Sequence, residues 1–236
     1  MKLSRTRSVV LVVGVVAVVV VVNLVAHGAS GTAAVLVVPG AAVVLVLGAR
    51  MAGLDWREMG LSRSELRAGI PYAVGAVVAV FAIVSVAVAI PATRQFFLSD
   101  RFDSASAAAF AALVTIPLQT VLPEELIFRG VLQGSLARLF GVRWTLTLGA
   151  IAFGLWHVTS SLGLTAGNEG LSGVLGSGTV GQIAGVLGAV AATTAAGFVF
   201  GWLRHRTTSL LAPVALHWAL NATGAVGAAV AWHLPS

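Results

Sequence analysis

From Ser8 to Ala26 the chain is almost pure valine, alanine and leucine. A run of that length leaves few solutions. About 20 apolar residues span the hydrocarbon core of a bilayer. There only a helix or a closed barrel pairs all of its own backbone groups. Valine richness is no obstacle, because a helix in lipid keeps its hydrogen bonds whatever its propensity in water. Lys2, Arg5 and Arg7 precede the run and give it the look of a secretory leader. It is too long for one, and a second run, Thr32 to Ala49, follows the short turn at residues 27–31. The first run therefore reads as an uncleaved transmembrane helix.

The same pattern repeats to the C-terminus. Ile70 to Ile90 is a third span, Ala105 to about Arg138 a long helical stretch, and Trp144 to about Ser160 a fifth. Gln182 to Leu203 and Ser209 to Trp232 complete seven. Pro117, Pro123 and Gly130 are expected to bend or break the long stretch. Between the spans, residues 50–67 read as a polar loop with a short amphipathic helix capped by Ser62 or Ser64. Residues 91–103 form a second polar loop, and 161–181 a Gly/Ser-rich segment, mobile or re-entrant. With 58% hydrophobic residues, the chain exceeds what a soluble domain carries. The expectation is an all-α, polytopic transmembrane helical bundle of about seven spans.

Charge orients it. With the N-terminus inside, 12 of the 14 basic residues fall on or near the cytoplasmic side, and only Arg94 and Arg101 lie outside. The net charge of +6 is then a membrane-topology signal rather than a mark of nucleic-acid binding. The absence of cysteine removes disulfides, zinc–thiolate sites and cysteine nucleophiles.

Against this background, Pro123-Glu124-Glu125-Leu126-Ile127-Phe128-Arg129 stands out. Adjacent carboxylates and an arginine inside an apolar helix are costly unless paired or used. Glu125 and Arg129 are four apart and share a helix face, so they can pair. Glu124 is turned about 100° away. Two other spans carry interior imidazoles: Phe153 with His157, and His217 with Asn221, each pair four residues apart. Glu124 lies 14 residues before Arg138, His157 lies 14 after Arg143, and His217 lies 11 after Arg206. At ~1.5 Å per residue those depths are roughly 16–21 Å, a shared level.

Each feature alone has a plainer meaning: an interfacial charge cluster, a histidine bonding its neighbour helix, an asparagine as packing glue. His27, His205 and His233 sit at ends or turns and read as solvated. Gly185, Gly188, Gly197, Gly201, Gly224 and Gly227 read as sites of close helix approach. Together, Glu124, His157, His217 and Asn221 suit hydrolysis. A carboxylate and an imidazole polarise water for attack on a carbonyl, and a second imidazole with an amide stabilises the oxyanion. The same four groups can instead hold zinc around an open position. No His-Glu-x-x-His and no Gly-x-Ser-x-Gly occurs, which removes zincin and serine-hydrolase readings.

These motifs, with Gly197-Phe198-Val199-Phe200-Gly201 and Ser209-Leu210-Leu211-Ala212-Pro213 before His217, resemble the CPBP intramembrane protease family, over roughly residues 105–224. That family includes CAAX prenyl protease 2-like enzymes and bacterial lysostaphin-resistance-like proteins. The resemblance implies a membrane endopeptidase with a cavity open toward the cytoplasm. Its substrate would be a membrane-associated protein or peptide, and its surroundings membrane lipid. Glu124 and His157 would activate water, His217 and Asn221 would form the oxyanion site, and Glu125, Arg129 and Phe153 would support them. Residues 1–104 are then N-terminal spans and a cytoplasmic loop, and 105–236 the catalytic core. Two other classes stay open: a non-catalytic immunity or scaffold protein, and a proton-coupled transporter, which usually shows repeated halves that this sequence lacks.

Overall fold

The computed structural model describes residues 5–98, 102–165 and 168–234. Among these there is no strand. The main helices of the described residues are α1 Arg5–Gly28, α2 Gly31–Met51, α3 Arg63–Ala89, α4 Ala105–Leu136, α5 Val142–Trp156, α6 Glu169–Leu175, α7 Thr179–Thr207 and α8 Leu211–His233. Six are long and apolar enough to cross a membrane: α1, α2, α3, α4, α7 and α8. The remaining expected span, the fifth, is α5, whose 15 residues cover only about 22 Å at ~1.5 Å each. That is short of the ~30 Å hydrocarbon thickness. The chain is a multi-pass membrane protein.

Packing follows from side-chain size. α8 packs most extensively on α3, and α5 on α7. The second contact needs glycine. A Cβ on Gly154 would meet the Thr194 hydroxyl and the Val190 carbonyl, and one on Gly197 would come within 3.1 Å of the Phe153 ring. Small residues thus let helices approach to backbone distance. Gly197, Gly201, Gly185 and Gly227 behave as expected, whereas Gly188 and Gly224 face open space. The central core gathers Val15, Leu45, Phe128, Val131, Phe153, Trp156 and Phe200 from α1, α2, α4, α5 and α7. Outward faces stay apolar, as with Val10, Leu24, Val44, Ile83 and Leu187. In lipid such a surface carries no penalty.

Several boundaries differ from the sequence reading. α3 begins at Arg63, seven residues before the expected Ile70, and no amphipathic helix precedes it. Instead residues 52–61 fold into turns, with Leu54 and Met59 fully buried. Neither Ser62 nor Ser64 makes a side-chain cap bond; their hydroxyls bond one another. The loop is a packed element because Glu58 pairs with Arg138, and Arg204 donates to the Glu58 carbonyl at 2.8 Å. Arg204, expected in a turn, is therefore buried within α7.

α4 does not break at its prolines. Its winding widens to the π form over Ala111–Val121 and Leu126–Leu132, on either side of an α-helical turn at Leu122–Glu125. Pro117 and Pro123 have no N–H to give, and the wider winding absorbs the missing bonds: Leu122 N–H reaches back to the Pro117 carbonyl. Residues 91–97 form a one-turn helix, Pro91–Arg94, and a 3-10 turn; residues 99–101 of that expected loop lie outside the described residues. The Gly/Ser-rich segment contains α6, capped by Asn168 accepting from Leu171 N–H at 2.9 Å. Residues 166–167 lie outside the described residues.

Candidate active site

The α-helical turn between the two π stretches carries Glu124 and Glu125, both buried. The expected i,i+4 pair forms: Glu125 Oε1 lies 3.1 Å from Arg129 Nη1. Arg129 is itself enclosed. Its guanidinium lies 4.0 Å from the centroid of Phe153 and 4.9 Å from that of Phe200, and Nη2 donates to the Gly197 carbonyl at 3.4 Å. A planar, weakly hydrated cation is suited to such an aromatic box.

His217 enters from α8. Its ring stacks on Phe200 at 5.0 Å and 22°, and its edge faces Phe153. Nδ1 lies 2.9 Å from Glu125 Oε1. An ionised carboxylate only accepts, so the proton of that bond belongs to Nδ1. Nε2 is then the free end of the ring, 4.0 Å from Glu124 Oε2. That distance is beyond a direct hydrogen bond.

Glu124 is held from the other side by a residue the sequence reading missed. Trp156 Nε1–H donates to Glu124 Oε1 at 3.0 Å. Glu124 Oε2 has no hydrogen-bond partner in the protein, and neither has Glu125 Oε2. The signal was present: a tryptophan beside a candidate histidine in an apolar helix must find a partner for its indole N–H.

His157 ends α5 as its C-cap. The expected fifth span ran to Ser160; it ends earlier, so His157 sits at the terminus of a short helix rather than within a span. Its ring lies edge-to-face on Phe153 at 4.6 Å, and Nδ1 bonds the Phe153 carbonyl at 2.8 Å. A carbonyl accepts, which puts the proton on Nδ1 and the lone pair on Nε2. A second missed residue fixes this terminus. Asn23, buried in α1, donates to the Trp156 carbonyl at 2.8 Å and accepts from the Thr159 hydroxyl at 2.7 Å. It satisfies one of the carbonyls a helix C-terminus leaves over.

Asn221 lies one turn beyond His217 and lines a cavity of about 450 Å³ between α4 and α8. The structure thus joins Glu124, Glu125, Arg129, Phe153 and His217 in one contact network, with His157 against Phe153 and Asn221 in the adjoining cavity. Among the described residues no three His, Cys, Asp or Glu side chains are grouped as a metal site would need. His27, His205 and His233 are exposed, as expected.

A family model of the type II CAAX prenyl endopeptidase Rce1-like group matches residues 105–223, half of the chain. The chain belongs to that family. The matched segment begins with α4 and ends in α8, so it contains every residue of the network above except Asn23. Membership in this Rce1-like family makes the chain a membrane protease by class, and the resemblance read from the three motifs holds. No curated protein and no solved structure matched the chain.

Proposed function

We propose that the protein is an intramembrane endopeptidase in which Glu124 and His157 activate a water molecule for attack on a peptide carbonyl. The observation that carries this reading is the state of Glu124. One oxygen is fixed by the Trp156 indole, while the other has no protein partner and faces His217 Nε2 across 4.0 Å. Glu125 Oε2 is open as well, but Glu125 is paired with Arg129 and His217, whereas Glu124 has no arginine partner, which suits it to act as the base.

The steps balance simply. Glu124 takes a proton from water as the water oxygen bonds to the scissile carbonyl carbon. His157 Nε2, as an acceptor, shares the orientation of that water. The negative charge that develops on the carbonyl oxygen is met by the Asn221 amide and by His217, which takes a second proton, on Nε2, from solvent before the attack and keeps it through the step. With both protons present, Glu124, Glu125, Arg129 and His217 sum to zero charge. Collapse of the tetrahedral intermediate breaks the C–N bond, and the proton on Glu124 passes to the departing amine. Glu125 and Arg129 touch no reacting atom in this scheme; they orient His217. The arginine distribution supports a cytoplasmic N-terminus.

The test is peptide cleavage by purified protein in detergent, comparing wild type with Glu124→Gln and His157→Ala, with and without a zinc chelator. The expected result is cleavage abolished in both variants and retained with chelator. Cleavage lost on chelation and restored by zinc would replace the scheme with a metallopeptidase, and unchanged cleavage in the variants would sink the site.

A further inference from the structure

The cavity beside Asn221 has a composition that the contact network does not use. Its lining includes Thr115, Gln119 and Thr120 from α4 and Asn221 from α8, with Phe102 at its far end. All four polar side chains are half-buried. Thr115 bonds only its own helix, to the Ala111 carbonyl at 3.3 Å. Among the described residues, the side chains of Gln119, Thr120 and Asn221 make no hydrogen bond. Amides and hydroxyls half-buried in an apolar bundle without partners are costly unless something polar occupies the space they face.

The geometry points to this cavity as the groove that binds the main chain of an extended peptide leading into the site, an inference that rests on the proposed peptidase function. Three observations favour a peptide backbone. Thr120 and Glu124 are four apart on α4, and Asn221 and His217 are four apart on α8, so both walls continue onto the two groups that face each other across 4.0 Å. Glutamine and asparagine amides each offer a donor and an acceptor, which is what an extended strand presents along its edge. The volume, about 450 Å³, lies within the ~300–1,000 Å³ of binding pockets. The groove includes Phe102, which lies on the outer side when the N-terminus is cytoplasmic, so substrate would enter from that side and not through the cytoplasmic opening that the family resemblance implies. Toward the Arg138 end, the fully buried Leu54 and Met59 pack beside Gly134 and Gly130 of α4.

The chain has no cysteine, so single cysteines report cleanly. Gln119→Cys and Thr120→Cys, in detergent, are treated with a positively charged methanethiosulfonate, with Leu113→Cys on the exposed apolar face of α4 as reference. Reactive thiolate forms only in water, so the groove positions should label at least about tenfold faster than Leu113→Cys. In a Glu124→Gln background, a random-sequence, cysteine-free peptide pool should slow that labelling. On a peptide that the wild type cleaves, Gln119→Leu and Thr120→Val should each raise KM about fivefold with kcat unchanged, the loss of one uniform hydrogen bond. Labelling no faster than the reference, or no protection by the pool, or unchanged KM would overturn the groove. Protection together with full activity of Glu124→Gln would instead leave the groove standing and remove the catalytic reading.

Discussion

At the Arg138 end of the bundle, Glu58 engages both carboxylate oxygens: Oε1 accepts from Arg138 Nε at 2.7 Å, and Oε2 accepts from Arg138 Nη2 and the Asp55 N–H. One level deeper, Glu124 and Glu125 each keep an oxygen without a protein partner. Both regions set carboxylate against arginine in an apolar protein, yet only the first saturates its acceptors. The open atoms of the first region are donors, Arg138 Nη1 and Arg204 Nε, whereas those of the second include carboxylate oxygens, and an open buried acceptor costs about 1–3 kcal/mol. The deeper cluster bears that cost, and the family assignment falls on the segment that contains it. On the proposed mechanism, the difference separates charge used for holding from charge kept for chemistry.

The comparison can be broken most sharply at Glu124. Glu124→Gln keeps shape and the bond from Trp156 but removes the base, and should lower kcat by about 10²–10⁴-fold. The melting temperature should stay near wild type, measured by thermal unfolding in the same detergent. Glu125→Ala should act differently. It strands Arg129 and removes the partner of His217 Nδ1, in a position with no exposure. A loss of about 3–5 kcal/mol is expected, read as a drop in melting temperature and folded yield.

Asn23→Ala tests the reach of the deep region beyond the matched segment. Losing its two interhelical bonds should destabilise by about 0.6–1.7 kcal/mol for each, with kcat falling and KM holding, because the end of α5 that carries Trp156 and His157 loosens. Asn23→Asp, which can still accept from Thr159, should recover part of the loss. The smallest effect is expected at Glu58→Gln. Its pair with Arg138 is 32% and 18% exposed, so solvent screening leaves about 0–1 kcal/mol, and activity per folded molecule should not change.

Much of this was readable in the sequence because periodicity and burial agree in a membrane. Apolar length gave the spans, and i,i+4 spacing gave Glu125 with Arg129. Three motifs at one depth gave the candidate site, and the family match covers the segment that carries them. What escaped has physical reasons. The loop at 52–61 reads as solvated because its charges are many and mixed, but Glu58 pairs with Arg138, Arg204 donates to the Glu58 carbonyl, and Leu54 and Met59 sink inside. The prolines of α4 looked like breaks because a hydrogen-bond ladder was assumed to be α; a π winding accommodates them. Trp156 and Asn23 are hard to read from sequence because each partner lies far along the chain, 32 and 133 residues away. Their type was the clue: indole N–H and amide groups in apolar helices require partners.

The most direct test of the central claim compares kcat per folded molecule for Glu124→Gln and Glu58→Gln on one peptide substrate, with folded protein quantified by monodisperse elution. The account predicts that the first falls at least about a hundredfold while the second matches wild type. Equal losses in the two variants, or activity retained in Glu124→Gln, would mean that the open carboxylate is not the base and that the two clusters do the same structural job.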